Sequence, residues 1–296
     1  MKKERYIVGM GEALWDVFPT GKKLGGAPAN FAFHVSQHGL KGIAVSAVGE
    51  DELGNELLNN LKEVGMDFHM QKTAQPTGTV QVTLNERGVP QYEIVKDVAW
   101  DNIAFTNELA DIARNAQAVC FGSLAQRNEV TRNTLKEFIK LMPTDEDVLR
   151  VFDINLRQHF YSKEIIEESI RMSNVFKIND EELDLITPLF GLKNGTQEER
   201  CKELLEKYPS LRLIILTCGE LGSHIHTRDI HTFVSTPKVK VASTVGAGDS
   251  FTATFIAGLL KGLNLADAHY RAVMVSAYVC THDGAMPELP AAYRIE

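Results

Sequence analysis

The interpretation of this chain starts from one late stretch, Val241-Ala-Ser-Thr-Val-Gly-Ala-Gly-Asp-Ser-Phe-Thr-Ala-Thr-Phe-Ile-Ala-Gly258. Within it, Gly246 and Gly248 flank Ala247, and Asp249 follows immediately. Apolar residues then recur at the spacing of one helix face. The stretch therefore predicts a glycine turn that opens a helix.

Such a turn is suited to anions, because the first N–H groups of a helix have no intrahelical partner and lie at the positive end of its dipole. Asp249 puts a carboxylate where an anion would otherwise bind. One interpretation makes it a general base that takes a proton from a hydroxyl while the N–H groups stabilise the phosphoryl group under attack. The other makes it an ordinary helix cap. The turn alone does not decide between them.

The composition is that of a globular protein, with 44% hydrophobic and 24% charged residues over 296 positions. The formal net charge of −8 argues against broad binding to nucleic acid or anionic membranes. No run approaches the ~18 apolar residues of a membrane helix. Glu12 and Asp16 interrupt the first apolar run before it could serve as a secretion signal. We therefore predict a cytoplasmic protein without nucleic-acid or membrane partners.

The spacing of cysteines and histidines does not indicate a metal site. The cysteines lack CxxC spacing and mostly lie in apolar segments, as reduced thiols do: Cys120, Cys201, Cys218 and Cys280. His34 and His38 lie four residues apart on a predicted helix, and His224 and His226 share one face of a predicted strand. Neither pair has a further ligand cluster in the sequence, so we predict no metal site from them.

Two common nucleotide-binding fingerprints are missing from the sequence. Gly9 and Gly11 begin a GxGxxG pattern, but Leu14 stands where the third glycine is needed. The P-loop pattern GxxxxGK followed by Ser or Thr does not occur either. A dinucleotide-dependent oxidoreductase and a P-loop enzyme are therefore not expected.

A second glycine-rich stretch lies near the start of the chain. Two glycines precede Pro28, which suits the first turn of a helix, and Gly39 suits the C-cap of that helix. Asn30 would then lie in the first turn with its amide free to meet a ligand. Alternatively, Gly25 and Gly26 only allow the helix to pack closely against a neighbouring strand.

Strand and helix patterns alternate along most of the chain. Predicted strands cover 6–11, 43–48, 116–121, 148–154, 174–178, 211–217, 223–227 and 230–234, and predicted helices cover 51–64, 129–141, 163–172, 196–207 and 266–281. Repeated βα units predict a mostly parallel sheet with helices on both faces. A predicted hairpin at 78–95, turning at 85–88, interrupts the series and is expected to be an appendage.

Functional groups follow several predicted strands, at the ends where ligands gather in such folds. They are Asp16, Ser123, Asp153, Asn155, Arg157, Asn179, Glu182, Thr217 and Gly219. Any one of them could be a helix cap or an edge residue. Because the ends of parallel strands meet at one edge of the sheet, together they predict a binding crevice.

The ribokinase, or PfkB-type, family of carbohydrate kinases has two signatures that this chain resembles, at Gly25-Gly-Ala-Pro-Ala-Asn30 and Thr244-Val-Gly-Ala-Gly-Asp249. Three further landmarks agree with the family in order and spacing: Asn179-x-x-Glu182, Thr217-x-Gly219 and Asp283-Gly-Ala-Met-Pro287. The likeness therefore spans nearly the whole chain.

Two stretches are most similar to the fructokinase branch of that family, Gly11-Glu-Ala-Leu-Trp-Asp16 and Asp153-Ile-Asn-Leu-Arg157. The resemblance implies a single ribokinase-like α/β domain over 1–296, a three-layer sandwich with a mostly parallel central sheet. It also implies a small β lid, built from about 12–24 and 77–99, that closes on the sugar and mediates a homodimer.

The resemblance implies roles for individual residues. Asp249 matches the catalytic base, and the N–H groups of Gly246, Ala247 and Gly248 match the anion hole. The positions that match sugar contacts are Asp16, Gly25, Gly26, Asn30, Trp100 and Arg157. The positions that match contacts to ATP phosphates are Asn179, Thr217, Gly219, Gly246 and Gly248. Asn179 and Glu182 match the motif that organises Mg²⁺ through water.

One position departs from the family pattern. Family members usually carry Asp where this chain has Ser243, and that position helps to hold a potassium ion. The dependence of this protein on K⁺ therefore stays open.

We thus predict an ATP-dependent sugar kinase that phosphorylates the primary hydroxyl of a small sugar, with fructose as the expected substrate. The alternatives within the family are 2-keto-3-deoxygluconate, ribose and a nucleoside. A non-catalytic sugar-binding regulator on the same fold is a further alternative, because a fold does not dictate a function. The sequence leaves the sugar, the ion requirement and the oligomeric state undetermined.

Overall fold

The structure is a computed structural model that describes residues 5–84 and 90–296, with the backbone alone described at 82–84 and 90–92. The predicted turn at 85–88 lies outside the described residues. The strands are β1 (Tyr6–Met10), β2 (Leu14–Phe18), β3 (Gly21–Gly25), β4 (Gly42–Gly49), β5 (Asp67–Thr73), β6 (Gly78–Leu84), β7 (Pro90–Ile94), β8 (Ala116–Phe121), β9 (Leu149–Asp153), β10 (Val175–Asn179), β11 (Leu213–Thr217), β12 (Ser223–His226) and β13 (His231–Val234). The helices are α1 (Ala27–Gln37), α2 (Glu52–Glu63), α3 (Asn107–Arg114), α4 (Glu129–Leu141), α5 (Lys163–Met172), α6 (Asp180–Phe190), α7 (Gln197–Lys207), α8 (Ala247–Leu260) and α9 (Leu265–Cys280).

A nine-stranded sheet forms the centre of the molecule, in the order β13-β12-β11-β10-β9-β8-β1-β4-β5. The strands from β11 to β5 in this order pair in parallel, and β12 and β13 add an antiparallel hairpin at one edge. A parallel sheet is buried on both faces. Helices α3 to α7 cover one face, and α1, α2, α8 and α9 cover the other. The predicted three-layer α/β fold is confirmed.

Strand alternation decides which residues of the sheet meet which helix layer. Phe152 of β9 and Phe176 of β10 pack towards α3 to α7, whereas Val151 and Val175 pack towards α1, α8 and α9. Parallel register also stacks the ring of Phe152 between those of Phe121 and Phe176, with centroids 5.5 and 5.6 Å away. The same two rules position the polar residues at the strand ends.

A second sheet of four strands has the order β3-β2-β6-β7. Its central pair, β2 and β6, is parallel, and each edge strand is antiparallel to its neighbour. The strands come from two insertions, one between β1 and α1 and one between β5 and α3. Its apolar residues pack on a buried cluster around Trp100. That this sheet closes as a lid, and that it mediates a dimer, stay predictions.

The beginning of the chain differs from its predicted form. The first strand ends at Met10, one residue before its predicted end, because the backbone turns at Gly11, with φ +153°. Asp16 therefore lies inside β2 of the small sheet and does not follow a strand of the main sheet.

Two elements were missed because their sequence patterns are weak. Strand β5 lies at the edge of the main sheet, and its half-buried residues show no clear alternation. Helix α3 has only 8 residues, although Thr106 caps it in the usual way by accepting a hydrogen bond from the N–H of Leu109 at 3.2 Å.

Membrane insertion finds no support in the part of the chain that the structure describes, where no helix is long and apolar enough to cross a bilayer. The cytoplasmic location stays a prediction.

Candidate active site

A buried ion pair marks the carboxyl ends of two central strands. Asp153 and Lys177 are register partners in β9 and β10, and both point to the α8 side, since Val151 and Val175, two residues earlier, pack there. The ammonium of Lys177 lies 3.1 Å from the carboxylate of Asp153, and the two side chains are only 10% and 9% exposed. Lys177 was not predicted as a site residue. A lysine inside a strand pattern indicates nothing until the register shows what stands beside it.

The predicted glycine turn opens α8 beside this pair. Gly246 has φ +79°, and a Cβ on it would lie 2.7 Å from Ala285. Both the backbone conformation and the lack of space therefore exclude a side chain there. A Cβ on Gly248 would lie 3.2 Å from the Nζ atom of Lys177. The ammonium thus lies against the turn. The N–H of Ala247 donates within the turn to the carbonyl of Thr244 at 3.3 Å, a long hydrogen bond.

The segment that holds Asn30 meets the first turn of α8. The Nδ2 atom of Asn30 donates to the Oδ2 atom of Asp249 at 2.7 Å, which joins two residues 219 positions apart in the chain. The Oδ1 atom of Asn30 is buried and has no hydrogen-bond partner among the described residues. An amide that orients a carboxylate and keeps a free acceptor can also bind a ligand hydroxyl.

The environment of Asp249 suits a general base. Burial raises the pKa of its carboxyl above the ordinary value, against the lowering effects of the Asn30 hydrogen bond and of the charges on Lys177 and Arg157. A carboxylate with a raised pKa accepts a proton more readily than a solvated one. The cap interpretation of Asp249 has no support here. The N-cap residue of α8 is Gly246, and no side-chain cap hydrogen bond is made.

Glu12 is a further acid that was missed in the sequence, where it served only to interrupt an apolar run. It lines the same cavity as Asp153 and Asp249 and is 4% exposed. Its Oε2 atom has no hydrogen-bond partner in the described chain. Burial, with a contribution from the negative charge of Asp249, raises the pKa of Glu12 to about 7. Nothing in the sequence signals this, since the pKa depends on neighbours from distant segments.

The predicted sugar contacts at the small sheet lie near one another. Asp16 in β2 stands beside Gly25 in β3, where a Cβ would be 2.7 Å from its Oδ2 atom. Gly26, with φ +126°, lies so close to the backbone that a Cβ would be 2.5 Å from the carbonyl oxygen of Glu12. Burial raises the pKa of Asp16, and the positive charge of Arg157 lowers it.

Arg157 is exposed but acts on the whole group of carboxyls. Its charge lowers the pKa of four acids: Glu12, Asp16, Asp153 and Asp249. Asn155, two residues before it, has φ +40°, so the chain leaves β9 through a left-handed conformation. The loop after β9 thereby brings the positive charge of Arg157 close enough to act on these carboxyls.

Trp100 is not brought to this group of residues. It is fully buried in the cluster under the small sheet, with the guanidinium of Arg127 over its ring at 4.0 Å from the centroid. Its ring packs so closely against Gly78 that a Cβ there would lie 2.3 Å from the Nε1 atom. We therefore remove Trp100 from the residues expected to touch the sugar and regard it as a core residue.

Asn179 and Glu182 form a capping box at the start of α6. The side chain of Asn179 accepts from the N–H of Glu182 at 2.7 Å, and the N–H of Asn179 donates to Glu182 at 3.0 Å. The other carboxylate oxygen of Glu182 accepts from the N–H of Leu156 at 2.8 Å. Glu182 therefore joins α6 to the loop after β9. Its charge also contributes to the raised pKa of Lys177, against the effect of burial and after the charge of Asp153.

The oxygen atoms around Lys177 are of the kind that binds a magnesium ion. Mg²⁺ prefers carboxylate and water oxygens. Oxygens of this kind are present on Asp153, Glu182 and Asp249, together with the unpartnered Oε2 atom of Glu12. Both oxygens of Glu182 accept a backbone hydrogen bond, which is compatible with contact to an ion through water, and this contact stays a prediction.

Thr217 and Gly219 extend the site along the sheet edge. Thr217 is the register partner of Asn179. Gly219 has φ +52° with open space around its Cα, and its carbonyl accepts from the hydroxyl of Thr236 at 2.7 Å. The two residues thus lie next to the predicted metal motif, in an open region.

Ser243 precedes the glycine turn, where its hydroxyl accepts from the N–H of Val245 at 3.2 Å. Its own N–H donates to the carbonyl of Cys280 at 3.2 Å. The side chain is neutral, so it supplies no charge for a cation. A role for K⁺ therefore stays an open question.

A proton acceptor beside the first N–H groups of a helix, at the carboxyl ends of parallel strands, is the arrangement of an enzyme that transfers a phosphoryl group to a hydroxyl. The chain belongs to the pfkB family of carbohydrate kinases, whose family model matches residues 6–292. The predicted family and the predicted kinase activity are confirmed.

Relatives of known name match over nearly the full length. Fructokinase-2 from Solanum lycopersicum is 29% identical, over 97% of this chain and 93% of its own. A sugar kinase from Pyrococcus horikoshii has a structure that superposes with a TM-score of 0.79 at 29% identity, covering 95% of this chain and 93% of its own. The fructokinase with bound ATP from Xylella fastidiosa, at 20% identity, superposes with a TM-score of 0.85 over 97% of this chain and 95% of its own, which shows the common fold.

Proposed function

We propose that this carbohydrate kinase is a fructokinase that transfers the γ-phosphoryl group of ATP to a primary hydroxyl of fructose. The observation that carries the proposal is the hydrogen bond between Asn30 and Asp249, because it ties the general base to the segment expected to hold the sugar. Relatives at about 29% identity, over nearly the whole chain, are fructokinases from Solanum lycopersicum and Solanum tuberosum.

In the proposed reaction the sugar binds between the small sheet and the N-termini of α1 and α8. Asp16 and the free Oδ1 atom of Asn30 accept hydrogen bonds from sugar hydroxyls. These contacts hold the reacting hydroxyl near Asp249. Holding both reactants in line supplies much of the rate enhancement in phosphoryl transfer.

Asp249 takes the proton as the hydroxyl oxygen forms a bond to the γ-phosphorus. The bond from that phosphorus to the bridging oxygen breaks, and ADP leaves with the electron pair. The N–H groups at the start of α8, with the ammonium of Lys177 beside Gly248, stabilise the negative charge on the transferred group. Arg157 supplies a second positive charge, which acts on the carboxyl of Asp249.

Mg²⁺, when bound, neutralises charge on the phosphates of ATP. Asn179 and Glu182 would hold it through water, and Thr217 and Gly219 would contact the nucleotide. Structures of family members support a nucleotide with a metal ion, since the putative ribokinase from E. coli is described in complex with ATP and Mg²⁺. A requirement for K⁺ and a homodimer through the small sheet stay proposals, to be tested by adding K⁺ and by light scattering.

The test is the sugar-dependent release of ADP with a panel of acceptors: fructose, ribose, 2-keto-3-deoxygluconate, a nucleoside and fructose 6-phosphate. The last is included because a 6-phosphofructokinase from Thermoanaerobacterium thermosaccharolyticum is 27% identical. The proposal expects fructose to have the highest kcat/KM. A higher value for another acceptor would assign that substrate instead. If no acceptor in the panel caused release of ADP, the mechanism would be refuted.

A further inference from the structure

The hairpin at the edge of the main sheet carries three histidines on one face. His224 and His226 are two residues apart in β12, and the antiparallel register pairs His226 with His231 of β13. One ring nitrogen from each of the three lies within 4.8 Å of the others. The Nδ1 atom of His224 and the Nε2 atom of His231 are 2.9 Å apart. The sequence pair His224 and His226 therefore has a third member that only strand pairing supplies.

His226 is the unusual member of this group. It is 1% exposed, and neither of its ring nitrogens has a hydrogen-bond partner among the described residues. A buried polar group without a partner destabilises a protein. The neutral imidazole ring is the form of histidine that binds metals.

The other buried histidines have different surroundings. His269, on the opposite face of the hairpin, uses both ring nitrogens, towards the hydroxyls of Ser223 at 2.8 Å and Thr232 at 2.7 Å. The ring of His34 contacts the carbonyl of Ala285 at 2.8 Å. An unpartnered ring beside two further imidazoles is thus a property of the hairpin cluster and not of buried histidines in this fold.

A carboxylate from α7 stands close to the cluster. The charge of Glu198 acts on His226 and His231, and Glu198 is paired with Lys202 of the same helix at 2.7 Å. Its negative charge would favour a cation bound by the histidines.

We propose that His224, His226 and His231 form a binding site for a divalent transition-metal ion of the Zn²⁺ type. Imidazole nitrogens suit Zn²⁺, Ni²⁺ and Cu²⁺, whereas Mg²⁺ prefers oxygen ligands, so this site and the kinase site differ in chemistry. Tetrahedral Zn²⁺ at 2.0–2.1 Å from each nitrogen sets the nitrogens about 3.3 Å apart. In the structure these nitrogens lie within 4.8 Å of one another, so the side chains must move closer to reach this spacing.

The rings must turn to bind an ion. At present they stack nearly parallel, with the His226 and His231 rings 1° apart in orientation and 4.5 Å apart between centroids. His231 is exposed and His224 is half-buried, so both have room to rotate about the buried ring of His226. A bound ion would fasten β12 to β13, and β12 pairs with β11, the strand that ends at Thr217.

The experiment measures Zn²⁺ binding to the untagged full-length protein by equilibrium dialysis and titration calorimetry. We expect one site, with an affinity at least tenfold weaker in His231→Ala and in His224→Ala, since each removes a ligand. His159→Ala, which changes an exposed histidine outside the cluster, is the control and should bind as the parent does. X-ray absorption of the Zn²⁺ complex should show three imidazole nitrogens at about 2.0–2.1 Å.

Stability gives a second readout. Zn²⁺ should raise the thermal midpoint of the parent, because an ion that binds only the native state stabilises it. The rise should disappear in both variants. Equal Zn²⁺ affinity in the parent and in the double variant His224→Ala/His231→Ala would overturn the proposal. So would the loss of Zn²⁺ binding in Asp249→Asn, which would move the ion to the kinase site. The result is independent of which sugar the enzyme uses.

Discussion

Replacing Glu12 with Gln should make the protein more stable at alkaline pH. Burial raises the pKa of this carboxyl from its ordinary 4.5 to about 7 in the folded chain. The native state therefore binds the Glu12 proton more tightly than the unfolded state does. The resulting stabilisation is fully present below pH 4.5 and is lost as the pH rises through about 7.

The magnitude follows from the two pKa values. One pKa unit corresponds to about 1.4 kcal/mol, so ionised Glu12 destabilises the native state by about 3 kcal/mol relative to its protonated form. Between about pH 6 and about pH 8.5 the expected change is about 1.5 kcal/mol. Glutamine has nearly the same shape and does not ionise, so the stability of Glu12→Gln should lack this component.

The assay is urea unfolding followed by tryptophan fluorescence at both pH values, since the two tryptophans, Trp15 and Trp100, are buried in the native state. The pKa values of the carboxyls of Asp16, Asp153 and Asp249 are also raised, but these groups titrate in the parent and in the variant alike. Their contributions to stability therefore largely cancel in the difference. Glu63→Gln, at an exposed position, is the matched control and should follow the parent curve.

The reasoning is refuted if the advantage of Glu12→Gln over the parent is the same at both pH values. A uniform gain would mean that the side chain only packs differently. An advantage that shrinks as the pH rises would mean that the folded protein favours the carboxylate. Either result would remove Glu12 from the set of acids with a raised pKa.

Three further predictions test the kinase site and its turn. Asp249→Asn should keep the fold and lower kcat about 10²- to 10⁴-fold in the ADP-release assay, as loss of a general base does; activity like that of the parent would exclude Asp249 as the base. Lys177→Met should lower kcat by about 10²- to 10³-fold with a smaller change in KM for the sugar, because the ammonium acts on charge that develops in the transition state; a change in KM alone would make Lys177 a binding residue. Gly246→Ala should destabilise the protein in thermal melts by about 1–2 kcal/mol from its left-handed backbone and by more from contact with Ala285. Gly262→Ala, at φ +85° with open space around it, separates the two contributions, and equal losses in both variants would contradict the contact.

Local signals in the sequence were enough to predict most helices, the parallel sheet and the glycine turn before Asp249. Helix periodicity, capping residues and glycines at turns act over a few neighbouring positions, so they can be read from the chain directly. The two family signatures also predicted that Asn30 and Asp249 belong to one site, and the structure joins them by a hydrogen bond.

What the sequence could not decide depends on residues that only folding brings together. The pKa of Glu12 depends on burial and on the charge of Asp249, and the position of Lys177 depends on its register with Asp153. Trp100 was assigned to the sugar from the family resemblance alone, because its burial beneath the small sheet depends on strands from two separate segments of the chain.

The histidine cluster shows the same division in one feature. His224 and His226 share a strand face by local alternation, which the sequence reveals on its own. His231 joins them only through the pairing of β12 with β13, a non-local choice of register. Alternation and capping are properties of a segment, and the sequence determined them. Burial, register and the resulting electrostatics are properties of the packed chain, so they were decided by the tertiary structure.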